Sequence, residues 1–326
     1  MKKLIILIII CMMVSCSNLT PVPASPPVAS LAPPITQLPI ATETSMPTPV
    51  VLGGGTGEIV YSHSIQNAQS TELRMVNVET NEDVVLLSPK GGEHFQYPRW
   101  SPDGKIIALH HGLCGISHNL ALFDIEQNVL TFESSVQDSN LDWGSWSPAQ
   151  DKLIFSMRGF GHIHLFVLDL VADHPTRITN DPTSHNRPDW HPEEDEIVFV
   201  QYFGSNAEIC TINIDGTGFK RLTDHPSVDT NPCWSPDGLE IMFESNRERN
   251  DEIYIMNRDG TEVRNISQNP ADDKDPAWSP DGKWIAFTSD RAPNDVYSIY
   301  IMGTDGSDVR YITEGHYPDW RPLLDE

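Results

Sequence analysis

The chain has 326 residues, with 46 acidic and 21 basic side chains and a formal net charge of −25 at neutral pH. Such a charge argues against nucleic acids and anionic lipid surfaces as partners, because the long-range field of the protein repels them. This length often indicates two domains, but β-propellers of this size form one. Basic proteins, cations, peptides and neutral sugars are the partner classes that the charge allows.

The first 15 residues have the organisation of a secretory signal peptide. Lys2 and Lys3 precede an apolar run over 4–14, and Ser15 stands before Cys16. The run is too short for a bilayer core, which needs about 20 apolar residues. The segment over 13–16 resembles the bacterial lipobox, whose cysteine is lipidated after cleavage. We therefore predict a signal peptide over 1–15 and lipidation of Cys16. The protein is then anchored in the cell envelope, facing the periplasm or the exterior, with the anchor as its only contact with the bilayer.

Residues 16–57 are predicted to be a flexible spacer that begins with the lipidated cysteine. The part over 17–52 contains nine prolines, one charged residue (Glu43) and no alternation that buries a face. Such a segment cannot offset the entropy cost of folding and stays extended. The glycine-rich run over 53–57 is interpreted as a hinge, because no strand precedes it and no Lys-Ser/Thr follows it. The folded domain is predicted over 58–326.

A tryptophan recurs along this domain at intervals of 42 to 46 residues. A period in the forties is typical of a β-propeller with four strands per blade. The repeat positions are Trp100, Trp146, Trp190, Trp234, Trp278 and Trp320. We therefore predict an all-β fold, a six-bladed β-propeller of four-stranded blades.

Each repeat is predicted to contain four strands, A to D, with the tryptophan on strand A. Trp278 is followed by Ser-Pro-Asp-Gly-Lys, and the same phrase recurs after Trp100 and, without its lysine, after Trp234. Ser, Pro, Asp and Gly in this order suit a type I turn, so a tight hairpin joins strands A and B. A later Asp-Gly pair, as at 305–306, joins strands C and D.

These two phrases closely resemble the signature of the TolB-type, WD40-like β-propeller family. The resemblance extends over about 58–320, and it weakens after Trp146, Trp190 and Trp320, where the turn residues differ. It implies the propeller fold and a place among envelope proteins. TolB itself also carries an α/β domain before its propeller, whereas a proline-rich segment precedes the repeats here.

The phase of the repeat predicts how the ring closes. The first repeat supplies only strands B, C and D, over 59–63, 73–78 and 84–87, and the last supplies only strand A, over 317–320. Pairing the C-terminal strand with the three N-terminal strands completes the sixth blade. A closed ring leaves no free sheet edge to recruit other chains, so we expect a monomer.

The strand order places the D–A and B–C loops on one face, the variable face, and the A–B and C–D turns on the other, the tight-turn face. Binding usually lies on variable loops held by a rigid scaffold. The segments just before each strand-A tryptophan converge at the mouth of the central channel. The predicted ligand-binding residues there are His185, Asn186, Arg187, Asp229, Asn231, Asp273, Asp275, His316 and Tyr317.

Calcium is the candidate cofactor at this mouth, although a protein without a cofactor is the primary expectation. Asp229, Asp273 and Asp275, with Asn231, offer hard oxygen ligands, but they lack calcium-loop spacing, and Lys274 offers a competing positive charge.

Two histidine groups are further metal candidates. His162 and His164 alternate on one face of a strand, and His110 and His111 precede His118 across a loop. The alternative is that these histidines are packing residues of the sheets.

No catalytic motif of the Gly-x-Ser-x-Gly or His-Glu-x-x-His kind is present. We therefore predict a scaffold that binds an envelope protein or peptide through its variable face; the sequence gives little support for catalysis. One alternative is a receptor for a glycan or cell-wall fragment, and another is a metal-assisted lyase or hydrolase with its site at the channel mouth. The aromatic residues that favour the glycan alternative are Tyr97, Trp143, Tyr202, Phe203 and Tyr317.

Overall fold

The computed structural model describes residues 57–65, 70–113, 118–138, 142–159, 161–292 and 296–322. The predicted signal peptide, Cys16 and nearly all of the spacer lie outside these residues. Strands and turns account for the regular structure of the described part. Within it, no helix has the length and hydropathy that a bilayer crossing requires.

The described strands form four separate four-stranded sheets and one eight-stranded sheet. In the larger sheet a single parallel pair, Thr71 opposite His94, joins two four-stranded blades, so there are six blades, which we number in chain order. Blade 1 contains β1 (Glu58–Ser64), β2 (Thr71–Asn77) and β3 (Asp83–Leu87). Blade 2 contains β4 (Glu93–Trp100), β5 (Ile106–Leu113), β6 (His118–Asp124) and β7 (Val129–Asp138). Blade 3 contains β8 (Asp142–Trp146), β9 (Lys152–Gly159), β10 (His162–Asp169) and β11 (His174–Arg177).

The remaining blades repeat the same antiparallel order. Blade 4 contains β12 (His185–Trp190), β13 (Glu196–Phe203), β14 (Asn206–Asn213) and β15 (Lys220–Arg221). Blade 5 contains β16 (Asp229–Trp234), β17 (Glu240–Ser245), β18 (Glu252–Asn257) and β19 (Arg264–Asn265). Blade 6 contains β20 (Asp273–Trp278), β21 (Trp284–Ser289), β22 (Ser298–Gly303) and β23 (Arg310–Glu314), and β24 (His316–Trp320) is strand A of blade 1.

The predicted closure of the ring is confirmed. Strand β24 pairs antiparallel with β1, with Trp320 opposite Ile59 and Asp319 opposite Val60. The six four-stranded blades agree with the all-β propeller inferred from the tryptophan period. The first and last strands of the described chain therefore lie in the same blade.

A cluster of buried hydrophobic side chains fills each of the six interfaces between neighbouring blades in the described residues. In blades 3 to 6, strand B places a fully buried phenylalanine at the same point of the repeat: Phe155, Phe199, Phe243 and Phe287. Burial of a side chain of this size contributes about 1.5–3 kcal/mol. The core is thus a ring of six similar layers around the channel.

The tight turns follow the repeated phrase. In blade 6 the Ser279 hydroxyl donates to Asp281 Oδ1 at 2.7 Å and accepts from the Trp284 N–H at 2.9 Å, and Gly282 has a φ of 67°. In blade 4, His191 replaces the serine, and its Nδ1 accepts from the N–H groups of Glu193 and Glu194. The departure from the phrase changes the hydrogen bonds of the turn and leaves the hairpin intact.

Candidate functional site at the channel mouth

The third residue before the repeat tryptophan has a left-handed backbone in five blades. These residues are Tyr97 (φ 52°), Arg187 (51°), Asn231 (52°), Asp275 (51°) and Tyr317 (55°). Each is followed by proline and lies within a β-bulge that interrupts the pairing of strands A and B. This conformation is uncommon for residues other than glycine, and a bulge redirects the side chain. We call these five the bulge residues; the side chain of Trp143, the corresponding residue of blade 3, is outside the described set.

The bulge residues meet one another at the channel mouth. The rings of Tyr97 and Tyr317 lie 4.1 Å apart between centroids. On the other side, an Arg187 guanidinium nitrogen lies 3.9 Å from Asp275 Oδ1, and Asn231 Nδ2 lies 3.4 Å from the same oxygen. Arg187 and Asp275 belong to blades 4 and 6, which are not neighbours, so the channel is narrow at this level. The mouth has an aromatic side and a polar side.

A buried glutamate, Glu244, supports the polar side. Its Oε1 accepts hydrogen bonds from Asn231 Nδ2 and from the Asp275 N–H, both at 2.6 Å. Burial, with the charge of Asp275 as the second cause, raises the pKa of Glu244 to about 7. Burial also raises the pKa of Asp275, against the opposing charge of Arg187. The charge of Asp275 therefore favours the protonated form of Glu244.

Sequence analysis did not identify Glu244. The sequence does contain a sign of its role, because Glu244 is a charged residue in the largely apolar strand β17. The equivalent positions of blades 4 and 6 hold the uncharged residues Val200 and Thr288. In blade 6, Thr288 Oγ1 accepts from the N–H of Tyr317 at 3.3 Å. Strand B thus supplies an acceptor to a bulge residue of the next blade at both places.

Between the bulge residues and the tight-turn face lies a cavity of about 220 Å³. Its wall includes the repeat tryptophans, turn residues such as Pro236, and the residues that immediately precede the tryptophans. Two of these are carboxylates that join neighbouring blades. Asp319 Oδ2 accepts from the Trp100 N–H at 2.7 Å, and Asp189 Oδ2 accepts from the Trp234 N–H at 2.8 Å. Burial raises the pKa of Asp319 to about 6 and also raises that of Asp189. Sequence analysis missed both, although they occupy one position of the repeat.

The structure corrects the predicted position of Asp229 and Asp273. Both side chains are fully buried, and each pairs with an arginine of its own blade's B–C loop, Asp229 with Arg247 at 2.7 Å and Asp273 with Arg291 at 2.6 Å. A carboxylate in this place requires such a partner, because an unpaired buried charge is costly. The sequence signal is an arginine 18 residues after each aspartate.

The structure does not bring the predicted calcium ligands together. Asp229, Asp273 and Asp275 each lie nearest to a different arginine. Across the described part of the chain, no group of three or more His, Cys, Asp or Glu side chains is arranged to hold a metal ion.

The position of each remaining predicted residue along strand A decides whether its side chain reaches the channel mouth. His185 is buried, with its Nε2 3.0 Å from Asp181 Oδ2. Asn186 donates to the Tyr202 hydroxyl at 3.3 Å, and His316 packs against the ring of Tyr297. Of the nine predicted residues, Arg187, Asn231, Asp275 and Tyr317 form the channel mouth, and the other five do not. Alternation along the strand turns Asn186 and His316 away from the bulge residues next to them. His185, Asp229 and Asp273, each two residues before a bulge residue, are buried.

The histidine groups make local contacts. Arg177 donates to His164 Nε2 at 2.9 Å, and burial, with the charge of Arg177 as the second cause, lowers the pKa of His164 to about 4. In blade 2, His111 stacks on Phe95 with 5.0 Å between centroids. The side chain of His118 is outside the described set.

Comparisons with known proteins agree with this architecture. The family model described as the TolB β-propeller domain matches residues 247–323. No curated protein matches the chain. TolB from Acinetobacter baumannii is 22% identical, with 82% of this chain and 67% of that chain covered and a TM-score of 0.70.

Two other solved structures show the same fold at lower similarity. A TolB structure from Agrobacterium tumefaciens is 23% identical over 82% of this chain and 95% of its own, with a TM-score of 0.61. An oligogalacturonate lyase in complex with manganese is 17% identical over 79% of this chain and 74% of its own, with a TM-score of 0.52. Together with the six blades and the closing strand, these matches show that the chain has the TolB-type β-propeller fold.

Proposed function

We propose that this protein is a lipid-anchored β-propeller of the bacterial cell envelope that binds a segment of a protein partner at its channel mouth. The observation that carries the proposal is the set of five bulge residues. Each holds a left-handed backbone that costs energy, and strained residues of this kind concentrate at functional sites. Their side chains differ from blade to blade, whereas the opposite face repeats one turn. A scaffold with one variable, strained face is suited to recognition.

The chemistry of the mouth fits a polypeptide segment. The aromatic side, formed by Tyr97 and Tyr317, offers an apolar surface, and the polar side offers the charged groups of Arg187 and Asp275 and the amide of Asn231. A peptide presents apolar side chains and backbone amides together, so it complements both sides. The cavity of about 220 Å³ behind the mouth has room for a side chain or a chain end. The partner therefore contributes a loop or a terminus.

The proposed anchor is compatible with this orientation. The spacer joins β1, strand B of blade 1, at its start on the tight-turn face. A lipid on Cys16 would then hold the tight-turn face toward the membrane and leave the channel mouth facing away. An extended spacer of this length reaches up to about 100 Å, at roughly 3 Å per residue.

Site-specific photo-crosslinking in living cells tests the proposal. A benzophenone amino acid is placed at Tyr97, at the mouth, or at Leu239, which is 63% exposed in the A–B turn of blade 5. We expect a discrete protein adduct from position 97 and none from position 239. Adding Arg187→Ala should lower the adduct yield about tenfold, which corresponds to about 1.4 kcal/mol of binding free energy. Equal adducts from both faces, or no protein adduct from position 97, would contradict the proposal.

A further inference from the structure

A second pocket, of about 420 Å³, lies on the variable face between blades 3 and 4. It is formed by His162 and Ile163 at the start of strand C of blade 3, by the loop and first residues of strand A of blade 4, and by Tyr202 and Gly204 where strand B of blade 4 ends. None of its lining residues lines the channel cavity. It is therefore a separate site, and its role is independent of the proposed function at the channel mouth.

The wall of this pocket contains a polar atom that lacks a partner. Asn186 Nδ2 donates to the Tyr202 hydroxyl at 3.3 Å, but Asn186 Oδ1 is buried and accepts no hydrogen bond from the described residues. A buried acceptor left in this state costs about 1–3 kcal/mol. Because Oδ1 has almost no accessible surface here, a ligand recovers that energy when the Asn186 amide turns toward the pocket to accept from its hydroxyl or N–H donor.

The pocket is lined by neutral side chains that donate and accept hydrogen bonds. Besides Asn186 and Tyr202, the wall includes the hydroxyls of Thr183 and Ser184 and the imidazole of His162. Gly204 closes the loop with a φ of 72°. Among the described residues, no carboxylate lines the pocket, although the protein as a whole has a net charge of −25. The local chemistry differs from that of the acidic surface around it.

A repeat position that holds a buried glutamate in blade 4 holds a histidine in blade 3. His164 occupies the repeat position held 44 residues later by Glu208. Glu208 is fully buried and pairs with Arg221 at 2.7 Å, whereas in blade 3 Arg177 contacts the Nε2 of His164 at 2.9 Å. Because burial keeps this imidazole neutral, blade 3 lacks the buried anion of blade 4.

We propose that this pocket is a saccharide-binding site, in which the Tyr202 ring packs against the sugar and Asn186 hydrogen-bonds to its hydroxyl groups. A sugar hydroxyl both donates and accepts, which matches Asn186 Oδ1, the Tyr202 hydroxyl, and the hydroxyls of Thr183 and Ser184. The volume of about 420 Å³ is in the range of small-ligand sites and accommodates one or two sugar rings. The wall carries no carboxylate from the described residues, so an acidic sugar meets no carboxylate there, although the net charge of −25 favours neutral sugars over acidic ones.

The test uses the full-length protein in detergent and two defined probes, the neutral trisaccharide of N-acetylglucosamine and a trisaccharide that contains a uronic acid. Saturation-transfer NMR detects contact, and titration gives the dissociation constant. We expect millimolar or tighter binding of at least one probe and at least tenfold weaker binding by Tyr202→Ala and by Asn186→Ala. Thr230→Ala, which changes the residue equivalent to Asn186 in blade 5, should bind as wild type does.

Folding is controlled by thermal melting and by Tyr202→Phe, which keeps the ring and should retain more affinity than Tyr202→Ala. The proposal is overturned if neither trisaccharide binds the wild-type protein at millimolar concentration. It is equally overturned if binding persists unchanged in both alanine variants, or if an extended tetrapeptide occupies the pocket where the sugars do not.

Discussion

At the scale of single residues, the central channel is distinguished by buried carboxyl groups whose pKa values lie above the ordinary range. Burial is the main cause at Glu244, Asp275, Asp189 and Asp319. Each accepts backbone hydrogen bonds or lies near an arginine, which offsets part of the cost of burying a charge. Among these groups, the pKa of Glu244 is about 7 and that of Asp319 about 6, so both carboxyl groups change protonation close to physiological pH.

Replacing Glu244 by Gln should stabilise the protein at alkaline pH. The folded-state pKa of Glu244 is about 7 against an ordinary 4.5, so ionisation opposes folding above about pH 7, and this penalty disappears as the pH falls from about 7 to about 4.5. Gln keeps the Oε1 acceptor and carries no charge. We expect Glu244→Gln to exceed wild type in free energy of unfolding by up to about 3 kcal/mol at pH 8 and to match it near pH 4, measured by urea unfolding.

The control for this experiment lies on the same strand. Glu240 is partly exposed and pairs with Arg264 at 2.8 Å, and such a surface pair contributes at most about 1 kcal/mol. Glu240→Gln should therefore lie slightly below wild type in stability at pH 8. A Glu244→Gln variant that is less stable than wild type at pH 8 would show that the ionised carboxylate favours the fold.

At the scale of strands and turns, the blades are held together by two kinds of contact. The hydrophobic clusters lie between neighbouring sheets, and the side chain just before a tryptophan accepts a backbone hydrogen bond from the next blade, as Asp319 does from Trp100. The strand-D elements of blades 4 and 5 have only two residues each, Lys220–Arg221 and Arg264–Asn265. The inner strands of each blade, which line the channel, therefore contribute more of the stabilising contacts than the short outer strands at the rim.

Deleting residues 315–326 should destabilise the whole ring rather than loosen one end. The deletion removes β24, its pairing with β1, the buried Trp320 and the hydrogen bond that Asp319 accepts from the Trp100 N–H of blade 2. We expect a loss of several kcal/mol, on the order of a buried aromatic side chain plus a strand ladder, measured by calorimetry. Deleting only 323–326 is the control and should have little effect. A single transition of the 315–326 deletion near the full-length temperature would contradict the arrangement.

At the scale of the whole molecule, the closure of the ring and the net negative charge both oppose association with other copies of the chain. Within the described residues, the ring has no unpaired inner strand, because β24 and β1 close blade 1. The net charge of −25 repels both other copies and anionic surfaces. These properties are those expected of a monomer held near a membrane by a covalent anchor rather than by surface attraction.

Cys16→Ser should release the protein from membranes. If the proposed lipid is on Cys16, the wild-type protein partitions into the detergent phase on phase separation, and the variant moves to the aqueous phase. The melting temperature of the propeller should be unchanged, since residue 16 is separated from β1 by the spacer. Cys11→Ser, which changes the other cysteine of the N-terminal segment, should partition as wild type does. A Cys16→Ser protein that stays in the detergent phase would refute the anchor.

The sequence alone predicted the elements well, for a physical reason. The tryptophan period and the Ser-Pro-Asp-Gly phrase are local signals, because a tight turn depends on four consecutive residues and a strand on alternation over a few more. The phase of the repeat then required β24 to pair with β1. Where the phrase fails, as at His191, only the hydrogen bonds of the turn changed.

The candidate site was predicted only in part, because its contacts join blades that are distant along the chain. The bulge turns Arg187, Asn231 and Asp275 toward the channel, whereas Asp229 and Asp273, at the first position of the same strands, are buried beneath loop arginines. Neither outcome can be deduced from spacing, since one residue inserted by a bulge changes which side chains face the channel.

What the sequence determined by itself was the all-β repeat architecture, the number of blades and the way the ring closes, because these depend on periodic local patterns. The tertiary structure decided which polar side chains share a surface. It brought Glu244 to the backbone of Asp275, Tyr97 to Tyr317, and Asn186 to Tyr202. Such pairings depend on the curvature of the ring and on the bulges, and both arise only when the six blades pack against one another.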